Sequence, residues 1–161
     1  MLKKQTKQTF AKTFTKNLRV AIVRTNYHVE LIENLESYAK KTLLEAGLLE
    51  KNVQTFIAPG SWEVPLLAQA AAESNKFDAI IAFGIIVKGE TYHFEMIANE
   101  VGRALMQLSI DYSTPIALEV LAVYDKKQAE ARAGKNSKNK GIEAANAVLQ
   151  TLQTLQTLKR K

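Results

Sequence analysis

Residues 83–101, FGIIVKGETYHFEMIANEV, place Gly89, Glu90, Thr91 and His93 on a short polar elbow between an apolar run and a helical pattern. An imidazole titrates near neutral pH and can carry protons in either direction. If His93 opens a helix, the backbone N–H groups left free at that end attract an anion. The combination would hold a phosphate beside a general acid-base. The same spacing also fits a plainer reading, in which Thr91 only caps the helix and His93 is a half-buried ring.

The elements that position these residues can be read on both sides of the elbow. Ala79–Val87 is too continuously apolar for a half-exposed strand, so it is expected to be the central strand of a sheet covered on both faces. After the elbow, Phe94, Ile97, Val101, Leu105 and Leu108 recur at helical spacing, while Glu95, Glu100 and Arg103 point elsewhere. The unit of strand, turn and helix repeats along the chain. Residues 18–23 form a strand, 24–28 its exit turn and 29–46 a helix that Gly47 ends. Residues 53–58 form the next strand, closed by Pro59 and Gly60, with a helix over 61–74 that tolerates Pro65 in its first turn. Residues 115–123 read as a further strand, 126–133 as a helix ended by Gly134, and 142–158 as the last helix after a basic polar stretch. This order predicts an α/β fold, a three-layer α/β/α sandwich around a parallel four-stranded sheet with right-handed crossovers.

Ligands gather at the carboxyl ends of such strands. Those ends carry residues 24–27, 61–63 and 85–93 and the region after Val120. Each has a plain reading: Asn26 as a turn residue, Trp62 as a core anchor, Glu63 as an acid favoured by the helix dipole. Their convergence on one end of the sheet favours a site.

The 161 residues, 47% hydrophobic and 24% charged, suit one globular domain, expected over 18–161 behind a basic arm of residues 1–17. The absence of cysteine excludes disulfides, thiol nucleophiles and thiolate metal sites, and two histidines leave little for a transition metal. No metal or cofactor is expected. No stretch has the apolar length of a membrane span and no secretory signal opens the chain, so a cytoplasmic protein is expected. The formal charge of +6 lies within the first 19 residues, on Lys3, Lys4, Lys7, Lys12, Lys16 and Arg19, and the remainder is balanced. A short polar arm of this kind is more often a solvated or partner-docking terminus, so nucleic acid is not an expected partner. The arm is expected to be partly disordered, with Phe10 and Phe14 as anchors. Dinucleotide, P-loop, serine-hydrolase and zinc-protease motifs are all missing.

Three stretches together, APGSWEVP at 58–65, KGETYHFEMIANE at 88–100 and RAGKNSKNKG at 132–141, resemble the lumazine synthase family, and the likeness extends from Leu18 to about Leu152. The resemblance implies a flavodoxin-like fold and the penultimate step of riboflavin synthesis. There 5-amino-6-(D-ribitylamino)uracil condenses with 3,4-dihydroxy-2-butanone 4-phosphate, releasing phosphate and water. Residue by residue it implies His93 as acid-base, Gly89, Glu90 and Thr91 as the phosphate elbow, and Ser61, Trp62 and Glu63 as the ribityl-binding turn. Thr25 and Asn26 stand where the pyrimidine ring is held, with Ile86 and Val87 around it. Leu118, Arg132 and Lys140 match residues supplied by a neighbouring chain, Arg132 to the phosphate and Lys140 near the ring.

Two positions depart from the family pattern: Thr25 and Leu118 stand where the family usually has aromatic residues, with Tyr27 close enough in sequence to replace the first. A weaker KM for the pyrimidine is expected. The competing reading is a catalytically weakened paralogue that binds a pyrimidine or flavin, or serves as a scaffold. The resemblance also implies a homo-oligomer and names riboflavin synthase as a candidate partner. Shell-forming members carry a turn like GTKAGNKG, where this chain has GKNSKNKG with Lys138 in place of glycine. Charge repulsion, and strain if Lys138 takes a positive φ, favour a free pentamer over a shell of twelve pentamers.

Overall fold

Four strands, β1 (Val20–Thr25), β2 (Val53–Ala58), β3 (Ala79–Val87) and β4 (Ile116–Val123), make one all-parallel sheet in the order β2-β1-β3-β4. The computed structural model describes residues 8–159. Every residue of β3 except Val87 is buried, which is why its sequence lacks alternation. The helices are α1 (Lys12–Thr15), α2 (Val29–Glu45), α3 (Val64–Glu73), α4 (His93–Asp111), α5 (Lys126–Ala133) and α6 (Lys140–Lys159). Their packing makes the three layers of a flavodoxin-like sandwich.

Strand alternation divides the core in two. Val20, Ile22, Ile81, Phe83 and Leu121 point to α2, α5 and α6, meeting Ile32, Leu35, Ala129, Ala145 and Leu149. Ala21, Val23, Ile80 and Ala82 point the other way, to Val64 and Ala68 of α3 and to Val101 and Leu105 of α4. Among the described residues, no helix is long and apolar enough to cross a membrane.

Several boundaries differ from the sequence reading. The first strand occupies 20–25 rather than 18–23, so Arg24 and Thr25 belong to it and not to the exit turn. The N–H of Arg19 donates to Asp78 Oδ2 at 2.7 Å, and Arg24 is accommodated within the strand by an ion pair to Glu36 at 2.7 Å. The helix expected over 61–74 begins instead as a 3₁₀ turn, Ser61–Glu63, before α3. The last helix starts at Lys140, two residues early, because buried Asn139 braces it: Nδ2 donates to Gly134 O at 2.9 Å, and Oδ1 accepts from Gly141 N at 2.8 Å. Lys138 is not among the residues with positive φ, so the strain argument against a shell fails; the turn is built by Asn136 and Asn139 instead.

The described part of the basic arm is docked. Phe10 is buried, Phe14 packs beside it, and Thr15 Oγ1 donates to Ala46 O at 2.8 Å. The partial disorder expected over residues 1–17 does not extend to residues 10–15, which are ordered against the fold, and residues 1–7, with Lys3, Lys4 and Lys7, lie outside the described residues.

Candidate active site

A cleft of about 790 Å³ opens at the carboxyl ends of β1, β2 and β3, on the side of the sheet covered by α3 and α4. Tyr27 and His28 border it after β1, residues 59–63 after β2, Ile85, Ile86 and Val87 along β3, and His93, Met96 and Ile97 from α4. Ser61, Trp62, Glu63, Ile86, Val87 and His93, separated by up to 32 positions, thus meet in one place. A second depression of about 500 Å³ lies along α2, lined by Glu33, Glu36, Lys40, Lys41 and Leu44, and its half-buried Glu36 is already held by Arg24, Lys40 and Thr55.

The 3₁₀ turn can settle onto the sheet because residue 84 has no side chain. A Cβ on Gly84 would lie 2.8 Å from Ser61 Oγ and 3.0 Å from Val120 Cγ1, too close for either to remain. Trp62 is 53% exposed, so it is no core anchor; its ring stands at the mouth of the cleft. Glu63 Oε2 folds back over Gly60, 3.2 Å from where a Cβ would be.

At the elbow the helix begins with His93 itself. Tyr92 occupies the N-cap with φ −64° and ψ −5° and no side-chain cap bond. Thr91 therefore does not cap α4, contrary to expectation, because the chain is already helical at Tyr92 and leaves no extended cap residue. Tyr92 gives no side-chain cap, and the Glu95 carboxylate accepts from its own backbone N–H, which leaves the earlier first-turn amides to an anion. His93 is exposed rather than half-buried, as are Gly89, Glu90 and Thr91. A Cβ on Gly89 would meet no atom within 4 Å, so packing within the chain does not require glycine there.

Charge near the elbow is unbalanced. Lys88 Nζ meets Glu95 Oε1 at 2.5 Å, which raises the lysine pKa and lowers that of the carboxyl. Among the described residues no lysine or arginine lines the cleft. A bound phosphate would need a cation from elsewhere.

Thr25 and Asn26 are not on the cleft wall. Thr25 ends β1 fully buried, its Oγ1 without a hydrogen-bond partner, and Asn26 N donates to Ala58 O at 3.2 Å. Tyr27, 66% exposed, lines the cleft in their place. Arg132 and Lys140 lie on α5 and α6, across the sheet from the cleft. Arg132 Nη1 donates to Gln128 O at 3.0 Å, and Lys140 Nζ pairs with Glu143 at 2.6 Å. Leu118, on the edge strand β4, is 46% exposed and reaches toward Gly102 of α4. Next to it Glu119 faces α6: burial pushes its carboxyl up to about 8, against the pull of Lys140 and with the push of Glu143. No group of three or more histidine, cysteine or carboxylate side chains that could hold a metal occurs among the described residues.

The sequence profile of the 6,7-dimethyl-8-ribityllumazine synthase family matches residues 17–156, nearly the whole folded chain. The chain belongs to this family. Proteins named 6,7-dimethyl-8-ribityllumazine synthase from Polaromonas sp. (strain JS666) and Leptothrix cholodnii are each 41% identical to it. The first match covers 80% of this chain and 86% of the relative, the second 82% and 88%. The protein of the same name from Neisseria gonorrhoeae is 37% identical over 83% of this chain and 86% of its own. Within the lumazine synthase fold seen here, the motif stretches divide by role. Residues 59–63 and His93 line the cleft, the exposed Gly89, Glu90 and Thr91 lie outside its lining, and Asn139 and Gly141 of the third stretch are buried in packing. Sequence reading placed no site role on His28, Met96 or Ile97; only the helical period from His93 marks the last two as facing the same way.

Proposed function

We propose that the protein is a 6,7-dimethyl-8-ribityllumazine synthase. It condenses 5-amino-6-(D-ribitylamino)uracil with 3,4-dihydroxy-2-butanone 4-phosphate and releases phosphate and water. The observation that carries this reading is the exposed His93 at the uncapped start of α4, in a cleft it shares with Ser61, Trp62 and Glu63. The phosphate sits on the elbow of Gly89, Glu90 and Thr91 against the first-turn amides of α4. His93 moves protons during Schiff-base formation and phosphate elimination. Ser61, Trp62 and Glu63 receive the ribityl chain, whose hydroxyls donate to the carboxylate. Ile86 and Val87 flank the pyrimidine, with Asn26 at its edge. Tyr27 supplies the aromatic surface that Thr25, buried beneath, cannot.

The site is shared between chains. One chain gives His93, and its neighbour gives Leu118, Arg132 and Lys140. The sheet between His93 and the pair Arg132 and Lys140, and the absence of a lysine or arginine from the cleft among the described residues, support that division. Arg132 balances the phosphate as a two-pronged donor. A free pentamer is favoured over a shell of pentamers, now on charge alone, since Lys135, Lys138 and Lys140 crowd the turn that would meet another pentamer. The enzyme works in the cytoplasm and hands its product to riboflavin synthase. No observation favours a binding-only paralogue. Mixing the purified protein with both substrates and following lumazine fluorescence tests the proposal, and no turnover at saturating substrate would overturn it.

A further inference from the structure

Beside the elbow, Lys88, Phe94, Glu95 and Tyr124 form a cluster that the proposed reaction does not use. Lys88 directly follows β3, and its N–H donates to Val123 O at 2.9 Å, which carries the β3–β4 ladder one step further. Its ammonium crosses the elbow to Glu95 Oε1, 2.5 Å away in the first turn of α4. The same Nζ lies 5.7 Å from the centroids of both Phe94 and Tyr124, whose rings are 6.2 Å apart and tilted by 36°. One cation thus joins the end of β3, the start of α4 and the residue that follows β4.

Between these anchors the elbow has little support of its own. Among the described residues, the N–H groups of Gly89, Glu90 and Thr91 make no hydrogen bond to backbone or side chain. Their course is set from the two ends, by the strand at residue 88 and the helix from residue 93. An exposed ion pair adds little to stability. A cation held at once by a carboxylate and two aromatic faces is restricted in direction, however, and can act as a strut.

The geometry points to Lys88 as a positioning residue for His93. By closing on Glu95 it fixes where α4 begins, and so where the imidazole and the first-turn amides face the cleft. This inference rests on the proposed reaction. Lys88 does not itself line the cleft, which separates it from a phosphate ligand. The hydrogen bond raises the lysine pKa and lowers that of the carboxyl, so both partners stay charged through the neutral range.

Lys88→Met keeps the length of the side chain and removes its charge. In the assembled protein, hydrogen-exchange mass spectrometry should then show about tenfold faster amide exchange across residues 89–95. With the melting temperature held, kcat should fall about tenfold, and KM for the butanone phosphate should change less than about twofold. Lys88→Arg should recover both exchange and kcat to within about threefold, because a guanidinium can meet the carboxylate and stack on the rings. Glu95→Gln should resemble Lys88→Met, and the double variant should lose nothing further. Unchanged exchange in Lys88→Met, faster exchange with kcat intact, or no recovery by arginine would each overturn the inference. A rise in KM alone would make Lys88 a phosphate ligand and overturn it too. If the unsubstituted protein made no lumazine, the proposed reaction would fail by itself, and exchange across the elbow would still decide whether Lys88 holds it.

Discussion

The two faces of the sheet are built to different standards. Toward α2, α5 and α6 the side chains are large and interlocked, with Phe83, Ile81, Leu35, Leu43 and Leu149 all fully buried. There α6 crosses α2 so closely that a Cβ on Gly141 would lie 2.1 Å from Leu35 O and 3.0 Å from Ala39 N. Toward α3 and α4 the core is rich in alanine, with Ala21, Ala58, Ala68, Ala71, Ala72 and Ala82. That layer leaves Leu66, Tyr92, Met106 and Ile110 exposed on its outer surface. It also carries the cleft. The first face is the more heavily packed, and the thinner one carries the open cleft.

Substitutions on the two faces should therefore fail in different ways. The largest effect is expected at the cleft, where His93→Ala should lower kcat by about 10²–10⁴ and leave product affinity nearly intact. Steady-state kinetics with a product-binding titration checks this, and lost binding with kcat preserved would contradict the acid-base role. Next comes the more heavily packed face. Gly141→Ala should cost about 3 kcal/mol in chemical denaturation because backbone, not a flexible side chain, occupies the space.

Glu119, at the seam of β4 and α6, should have a smaller effect that depends on pH. Its folded pKa of about 8 lies above the ordinary value of 4.5, so between these the folded chain holds a proton that the unfolded chain has released. Stability should therefore fall as pH rises through that window. Glu119→Gln should flatten the fall and gain about 1–2 kcal/mol near pH 9, read from melting curves at several pH values. The smallest effect belongs to Arg132→Lys, which should raise KM for the phosphate substrate about fivefold and leave KM for the pyrimidine unchanged. Equal KM values in the two proteins would remove Arg132 from the site.

Much of the fold could be read from runs with clear ends. β2 and β3 fall where their apolar runs stop, at Pro59 and at the elbow, and α5 ends at Ala133 before Gly134. β1 was displaced because a charged residue inside a strand breaks the apolar pattern, and only the Glu36 ion pair makes Arg24 acceptable there. Thr91 looked like a cap by residue type, but capping depends on the backbone of Tyr92, which composition does not reveal. Trp62 looked like a core residue because large aromatics usually are, and its exposure reflects its place at a strand end. The motif containing Asn139 and Gly141 was visible as a motif, yet its packing role depends on α2, about a hundred residues earlier. Spacing along a chain also cannot tell which face of a sheet a helix covers, so only the resemblance, and not the spacing, set Arg132 and Lys140 apart from His93.

The sheet stands as a wall between those groups, and under the proposed shared site the activity would be divisible among chains. Proteins carrying only His93→Ala or only Arg132→Ala should each be nearly inactive. When the two are unfolded, mixed in equal amounts and reassembled, some junctions bring an intact His93 against an intact Arg132. In a ring with random order that is about one junction in four, so roughly a quarter of the unsubstituted activity should return from two defective parents. The recovered fraction would trace the bell-shaped dependence on mixing ratio that only pairwise sharing produces.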